Sequence, residues 1–443
     1  MFHPPDIYRI ECLTEDDMTR LPTLKALPSP PTGRNGWPWH QGSSPAPDAR
    51  AVDTLLPRVS IITPSFNQAA YLETTIRSVL MQGYPNLEYI VIDGGSSDGS
   101  VEIIRKYEPW LAYWVSEPDK GQADALRKGF AKATGSIVAW LNSDDWYLPN
   151  VIRERVGWLA ENPASILVYG DCHFVDEEGN LLKTWTAKPC STKTLLLTGN
   201  KIPQQSTFMR STAFRAAGGV DPALHYIMDY DLWVRLSLLG KLSYVPGPVA
   251  NFRFHGDSKS VSVGYKFMLE TLTWMDACVE IKGVLSSEDR EEMYTRAHLK
   301  TAVEYLLAGQ EAEAIHHLRI SLKNYPGFFE EVDFLVDQLL DASGLGGHGM
   351  HDSWENYERL GYVLRAVLPP AKARHTWRRC ASRYFMKRYF EGSKSAHQQD
   401  LRADLLRGVW YDPRWLRNIG VWSILGHNIL GNPRSGSLPE TTG

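Results

Sequence analysis

Residues 59–67 read VSIITPSFN, residues 87–100 read LEYIVIDGGSSDGS and residues 136–145 read SIVAWLNSDD. Each is a short apolar run ending in a polar loop, the pattern of a buried strand. Between the first two lies YLETTIRSVLMQG (71–83). There Leu72, Ile76, Val79 and Leu80 share one helical face, and Gly83 ends the helix. SVEIIRKYE (100–108) and ADALRKGFAKA (123–133) are helical, and LAYWVSE (111–117) between them is a further strand. ILVYGDCHFVDEEGN (166–180) predicts the start of a hairpin turning at EEGN. Alternating strands and helices of this size predict βαβ units and a parallel sheet.

The flanks differ. Residues 1–57 hold ten of the 27 prolines, including LPSPPTG (27–33) and SSPAPD (43–48). They predict an extended arm or linker, with an ordered arm docked through Trp37 and Trp39 as the alternative. Residues 265–345 are largely helical by pattern. Ala302, Tyr305, Leu306, Gly309, Ala314 and Leu318 are spaced like one tetratricopeptide-like hairpin, but solenoids need several repeats, and an ordinary helical appendage is the simpler reading. Residues 346–434 form a basic, aromatic helical region. Within it, residues 371–420 carry twelve Lys/Arg against four Asp/Glu, interleaved with aromatics such as Trp377, Tyr384, Phe390, Trp410 and Trp415. Either these helices meet anionic lipid, or they pack their aromatics inward and leave the charges solvated. The closing GSLPETTG resembles a sortase recognition tag, so 435–443 is set apart from the fold.

The 443 residues are 43% hydrophobic and 22% charged, with a net charge of −4. This excludes general disorder, argues against a general nucleic-acid coat while leaving room for a local basic patch, and predicts two or three soluble domains. The five cysteines are scattered, without CxxC or zinc spacing, which fits a reducing compartment. There is no apolar run long enough to cross a bilayer and no signal core, so a cytoplasmic location is expected.

Four polar clusters each follow an apolar strand: Ser65 to Asn67, Asp93 to Asp98, Glu117 to Gln122 and Asn142 to Asp145. Ligands of open α/β sheets bind at the carboxyl ends of the strands, so four such loops predict one site. Asn67 either faces a nucleotide or caps the next helix. Asp93, at a strand tip, can accept from a base or ribose, and Gly94 and Gly95 let a ligand approach the backbone. Asp119, Lys120 and Gly121 precede a helix N-terminus, which suits a phosphate or a plain turn. Asp144 and Asp145 repel each other unless a cation or donors neutralise them, and their hard oxygens suit Mg²⁺ or Mn²⁺.

In order and spacing, SIITPSFNQAAYLETTIRSVLMQ, VIDGGSSDGS, SEPDKGQADALRKGFAKATG, WLNSDDWYLP and FRAAGGVDPALHYIMDYDLWVRL resemble family-2 glycosyltransferases. The resemblance implies a GT-A fold over 58–264: a Rossmann-like mixed α/β sheet with helices on both faces, here followed by a helical C-terminal region. It implies a nucleotide diphosphate sugar donor, with UDP by family habit, and transfer to an acceptor hydroxyl with inversion. The acceptor would be a glycan, lipid-linked or protein group in bacterial surface-glycan or glycoprotein synthesis, with no nucleic-acid partner. By position, Pro64, Ser65 and Asn67 match the first nucleotide loop, Asp93 the base-reading carboxylate, and Asp119 and Gly121 the loop beside base and ribose. The family's Asp-x-Asp metal motif reads Asn142-Ser143-Asp144-Asp145. Asn142 and Ser143 therefore fall to the nucleotide, and Asp144 and Asp145 to a divalent cation, Mn²⁺ or Mg²⁺. Asp229 matches the general base, with a helix cap as its bland alternative. Asp231 is read as structural, capping the helix or pairing with Arg235. Gln205 borders the acceptor pocket, and His255 is a further metal or diphosphate contact. Trp146, Trp233 and Tyr226 either stack on sugars or belong to the core. Two rivals stand beside this reading. A nucleotidyltransferase would want a Gly-rich triphosphate loop that TPSFNQAAYL lacks. A degenerate binding or scaffold protein draws support from Asn142.

Overall fold

The structure, a computed structural model, describes residues 22–43, 56–256, 264–278, 283–324, 336, 354–392, 398–417 and 421. Residues 1–21 and 44–55 of the proline-rich arm and the closing 435–443 segment lie outside the described residues, as does the side chain of Phe390. The chain divides into two compact units, Met1–Ser286 and Ser287–Gly443.

The first unit opens with β1 (Val59–Ser65), α1 (Leu72–Leu80), β2 (Leu87–Asp93), α2 (Ser100–Tyr107), β3 (Tyr113–Ser116), α3 (Gln122–Lys132) and β4 (Ile137–Trp140). β1 pairs in parallel with β2 and β4, and β2 with β3, so four carboxyl ends share one edge. Every β1 residue is buried, as expected for a strand paired on both sides and covered on both faces. Pro64 is tolerated there because the β4 ladder reaches only Ile62, so the missing N–H breaks no bond on that side. Gly129 lets α3 lie close on β1: a Cβ there would meet Ile62 Cγ2 at 2.5 Å.

The unit continues with β5 (Trp146–Tyr147), α4 (Val151–Glu161), β6 (Ser165–Val175), β7 (Leu181–Trp185), α5 (Thr192–Thr198), β8 (Phe208–Arg210), α6 (Ser211–Ala216), α7 (Met228–Leu239), β9 (Lys241–Arg253) and α8 (Gly264–Cys278). The sheet order is β3-β2-β1-β4-β8-β6-β9-β5, with β7 on β6. β8 runs antiparallel between β4 and β6, so the parallel reading holds for the first four strands and the whole sheet is mixed, as a GT-A fold requires. The EEGN hairpin forms as β6 and β7.

The described part of the arm is docked. Its prolines cannot donate, so its carbonyls need donors from outside. Arg77 of α1, fully buried, donates to Pro28 O at 2.8 Å, Trp39 O at 3.0 Å and Pro38 O at 3.3 Å. Its guanidinium also lies over the Trp39 ring. Trp37 Nε1 donates to Tyr147 O at 2.8 Å.

The second unit contains α9 (Ser287–Leu307), α10 (Glu311–Asn324), α11 (Trp354–Val367), α12 (Pro370–Gly392) and α13 (Gln398–Tyr411). α9 and α10 form one helical hairpin that turns through Gly309 at φ +71° and buries Ala302, Leu306, Ala314 and Leu318. Aromatics of α11 to α13 pack on one another: Trp354 on Phe385, Tyr357 on Tyr384 and Phe385 on Tyr411. No described helix is long and apolar enough to cross a membrane.

Replacing Arg77 with Met strips donors from three arm carbonyls. Equilibrium urea denaturation should show a loss of about 3 kcal/mol, and limited proteolysis before residue 43 should accelerate. An unchanged midpoint would mean the arm contributes nothing to the core.

Candidate functional site

Ser65, Asp93 and Ser116 stand in one register row at the carboxyl edge. Asp93 is fully buried, and its Oδ2 accepts from Ser96 N at 2.8 Å, Gly95 N at 3.1 Å and Ser116 Oγ at 2.7 Å. Its Oδ1 accepts from Ser96 Oγ. The carboxylate expected to read a base is thus spent on shaping its own loop. Asn67 does not cap α1: its backbone is left-handed at φ 52°, and its Oδ1 accepts from Ser97 N at 3.0 Å. Together with Asn67 N to Ser96 Oγ and Ala69 N to Asp98 Oδ2, both 2.8 Å, it joins the β1 loop to the β2 loop. Pro64 and Ser65 are buried at the end of β1, and Ser65 Oγ and Gln68 Oε1 are buried there without a partner. Unpaired buried polar atoms are costly, so their gathering at this edge favours a polar ligand.

The third loop abuts the second. A Cβ on Gly94 would meet Asp119 Oδ2 at 2.8 Å, so glycine is what permits the approach. Asp119 Oδ1 accepts from Gly121 N at 2.7 Å, and Gly121 turns into α3 at φ +106°. Gln122, the first α3 residue, donates Nε2 to Asn142 Oδ1 at 2.8 Å and so reaches the fourth loop.

In that loop the two aspartates part company. Asp145 is fully buried; it accepts from Gln205 Nε2 at 2.8 Å, Arg253 N at 3.0 Å and, more distantly, Asn142 Nδ2 at 3.5 Å. Burial and then the adjacent Asp144 push its carboxyl well above the usual range. Thr75 Oγ1 lies within bonding distance of the Ser143 and Asp145 carbonyls and fixes Ser143, which is buried. Asp144 stays partly open, and its Oδ2 lies 3.0 Å from His255 Nε2. The structure therefore brings Asp144 and His255 together and turns Asp145 inward. Among the described residues no cluster of three His, Cys, Asp or Glu could hold a metal. Gln205 likewise faces inward, as a donor to Asp145.

Arg253 is a residue that motif reading missed. It is buried, with its guanidinium 4.5 Å from the Trp146 ring centroid and 4.7 Å from that of Tyr71, and it donates Nε to Asp144 O at 3.1 Å. Tyr71 also packs against His255.

Asp229 lies in the first turn of α7. Asn200 Nδ2 donates to its Oδ2 at 2.8 Å and Tyr230 N to its Oδ1 at 2.7 Å. Burial brings its pKa up to about 6, with those two donors working against the rise. It is not the N-cap residue, a position held by Ile227, although its Oδ1 takes the first-turn Tyr230 N–H. Glu270 of α8 accepts from His225 N at 2.8 Å, Tyr226 N at 2.7 Å and Ile227 N at 2.9 Å, the segment that leads into α7. Asp231 pairs with Arg235 at 2.9 Å, as read from sequence, and also accepts from Trp274 of α8 at 2.8 Å. Trp233 is in the core, fully buried and stacked on Trp140, so it cannot line an open pocket. Tyr226 packs on Phe267.

Residues 60–219 match Glycosyl transferase family 2. An uncharacterized glycosyltransferase of Mycobacterium tuberculosis is 35% identical over 190 residues, which cover 42% of this chain and 71% of the relative. The chain belongs to this glycosyltransferase family. A second relative, an uncharacterized glycosyltransferase of Rickettsia conorii, is 32% identical over 216 residues, 46% of this chain and 35% of that protein. Among solved structures, Staphylococcus aureus TarS 1–349 in complex with UDP-GlcNAc has a TM-score of 0.40 at 15% identity, covering 81% of this chain and 92% of that one. The mannosyltransferase PcManGT of Pyrobaculum calidifontis, in complex with GDP-Man and Mn²⁺, has a TM-score of 0.44 at 19% identity, covering 74% and 89%. The family match spans the strand edge and stops short of Glu270 and Arg253, the two supports of this glycosyltransferase that motif reading missed.

Glu270→Ala leaves the three N–H groups of residues 225–227, which lead into α7, without their acceptor. The expected loss is about 2–3 kcal/mol in urea denaturation. A loss below 0.5 kcal/mol, about what a neutral surface change gives, would show that α8 does not hold α7.

Proposed function

We propose that this glycosyltransferase moves a sugar from a nucleotide diphosphate sugar, by family habit a UDP-sugar, to an acceptor hydroxyl with inversion. The acceptor is a glycan, lipid-linked or protein group in surface-glycan or glycoprotein synthesis. The work is done in the cytoplasm, with peripheral contact at the inner face of the membrane through the basic C-terminal region. One observation carries the catalytic reading. The six-residue segment Asn200–Gln205 touches Asp229 at one end, through Asn200, and Asp145 at the other, through Gln205. It ties the base to the loop that bears Asp144.

In the proposed displacement the acceptor oxygen attacks the anomeric carbon from the face opposite the diphosphate. Its proton passes to Asp229, and the bond to the diphosphate oxygen breaks with both electrons leaving on the nucleotide. A carboxylate with a pKa near 6 suits this: it is a stronger base than an exposed aspartate yet mostly ionised at neutral pH. Asn200 orients it. Pro64, Ser65, Asn67, Asp93, Asp119, Gly121, Asn142 and Ser143 form the nucleotide cradle, Asp93 through the loop it shapes and Ser65 through its unpartnered hydroxyl.

A divalent cation fits the residues present. Asp144 Oδ2 and His255 Nε2 converge, one hard oxygen and one imidazole nitrogen, a pair that suits Mn²⁺ better than Mg²⁺. Asp145 is committed elsewhere, so substrate phosphate and water would complete the shell. When bound, such an ion neutralises charge on the departing diphosphate. Arg253 keeps Asp144 in place through its carbonyl.

Asp229→Asn should lower kcat roughly 10²–10⁴-fold while nucleotide affinity holds. In the parent enzyme kcat/KM should rise with pH through about 6 and then level, because the base works only when deprotonated. Normal turnover by the variant would remove Asp229 from the chemistry. Separately, titration calorimetry with UDP should show affinity raised by Mn²⁺ in the parent and not in Asp144→Ala. Equal enhancement in both would take the metal role from Asp144.

A further inference from the structure

In the second unit, α12 and α13 run antiparallel: Arg388 pairs with Asp404 at 3.1 Å, Ser382 Oγ donates to Gly408 O, and Arg378 Nη2 donates to Trp410 O at 3.0 Å. Among the described side chains of α13 the exposed ones are Ala403, Leu406, Arg407 and Trp410, and beyond the helix come Pro413, Arg414 and Arg417. The spacing i, i+3, i+4, i+7 puts the helical four on one stripe. On it Trp410 is 67% exposed and Leu406 56%, unlike the neighbouring aromatics Tyr384 and Phe385, which are buried.

The charges on this surface are sorted by sign. Asp404 and Asp412 are buried beneath it, on Arg388 and Arg379 respectively. Arg407 and Arg414, with side chains 60% and 44% exposed, reach back to these acids, Arg407 to Asp404 at 3.9 Å and Arg414 to Asp412 at 3.1 Å, and keep their outer faces open to solvent. From α12, Arg378 lies over the Trp410 ring at 5.4 Å, and exposed Arg374 stands one turn earlier. Among the described side chains, the surface therefore offers cations and two large apolar groups. A polyanion would meet the exposed arginines and leave Trp410 and Leu406 in water. A bilayer with anionic headgroups meets both, because an indole rests at the headgroup level while arginines lie against phosphates.

We propose that this α12/α13 face is a peripheral docking surface for anionic phospholipid, with Trp410 and Leu406 entering the interface and Arg374, Arg378, Arg407 and Arg414 meeting the headgroups. The surface lies on the second unit; the inference deepens the membrane contact proposed above for the basic C-terminal region and rests on that part of the reading, not on the transfer reaction.

The test is flotation of the full chain with phosphatidylcholine vesicles, pure or with 30% phosphatidylglycerol. Binding is expected to the anionic vesicles, to fall as salt rises through the screening range, and to be absent from the neutral ones. Trp410→Ala with Leu406→Ser should cut binding at least tenfold. Arg407→Gln should cut it roughly fivefold, about one lysine or arginine near a charged surface. Circular dichroism melts of these surface variants should match the parent. No binding to either vesicle overturns the proposal. So does anionic binding that survives loss of Trp410 and Leu406, or equal capture by soluble polyphosphate, which would make the face a polyanion site. Donor turnover, assayed beside flotation, distinguishes failure of the docking surface from failure of the catalytic assignment.

Discussion

A carboxylate buried at the exit of β4 organises the catalytic unit. Asp145 is fully buried, so the protein must bring donors to it: Gln205 and the backbone of Arg253 come from far along the chain, and Asn142 adds a longer contact from the same loop. The cost of an unmet buried charge is several kcal/mol, which is why two remote segments must close on one point. Because Asn142 also accepts from Gln122, and Asn200 at the far end of the Gln205 segment donates to Asp229, closing on Asp145 also gathers the site. Adjacent Asp144 is left facing outward because its neighbour faces in.

Two buried guanidiniums do comparable work. Arg77 and Arg253 both give much of their donor capacity to backbone carbonyls and lie over aromatic rings, Arg77 over Trp39 and Arg253 over Tyr71 and Trp146. A planar cation with several fixed donors can tie together segments that lack N–H groups or hold irregular loops, which a lysine's single nitrogen cannot. Arg77 secures a proline-rich arm to α1. Arg253 secures the Asp144–Asp145 turn to the end of β9.

The strand edge was legible because apolar runs ending in Asp, Ser and Gly announce both the strand and its open end. The sign of each side chain's direction was not. Asp144 and Asp145 are equivalent as letters, and only the turn that carries them, closed by Asp145 N donating to Asn142 O at 3.2 Å, sends one inward. Gln205 and Trp233 read as pocket residues by position, yet the first serves Asp145 and the second fills the core against Trp140. Arg253 could have been found, since it stands two residues before His255 and period-2 spacing puts both on one side. Glu270 gave no such signal: one acid in KFMLETLTW looks like solvent-facing helix, and its partners lie more than forty residues away. The β8 crossover, three residues long, is too short to show a period at all.

The placement of Asp229 shows how burial and hydrogen bonds compete over one carboxylate. A carboxylate in the first turn of a helix is drawn toward the backbone N–H groups there, which lower its basicity. Asp229 takes one of them, Tyr230 N, and the Asn200 amide besides. Glu270 meanwhile binds the N–H groups of residues 225–227, which precede the helix, and so fixes the segment that delivers Asp229 to its place. Burial outweighs the donors, and the pKa rises to about 6. A carboxylate held in this way binds a proton more tightly than an exposed aspartate, because the hydrogen bonds it gains do not make up for the water it has lost.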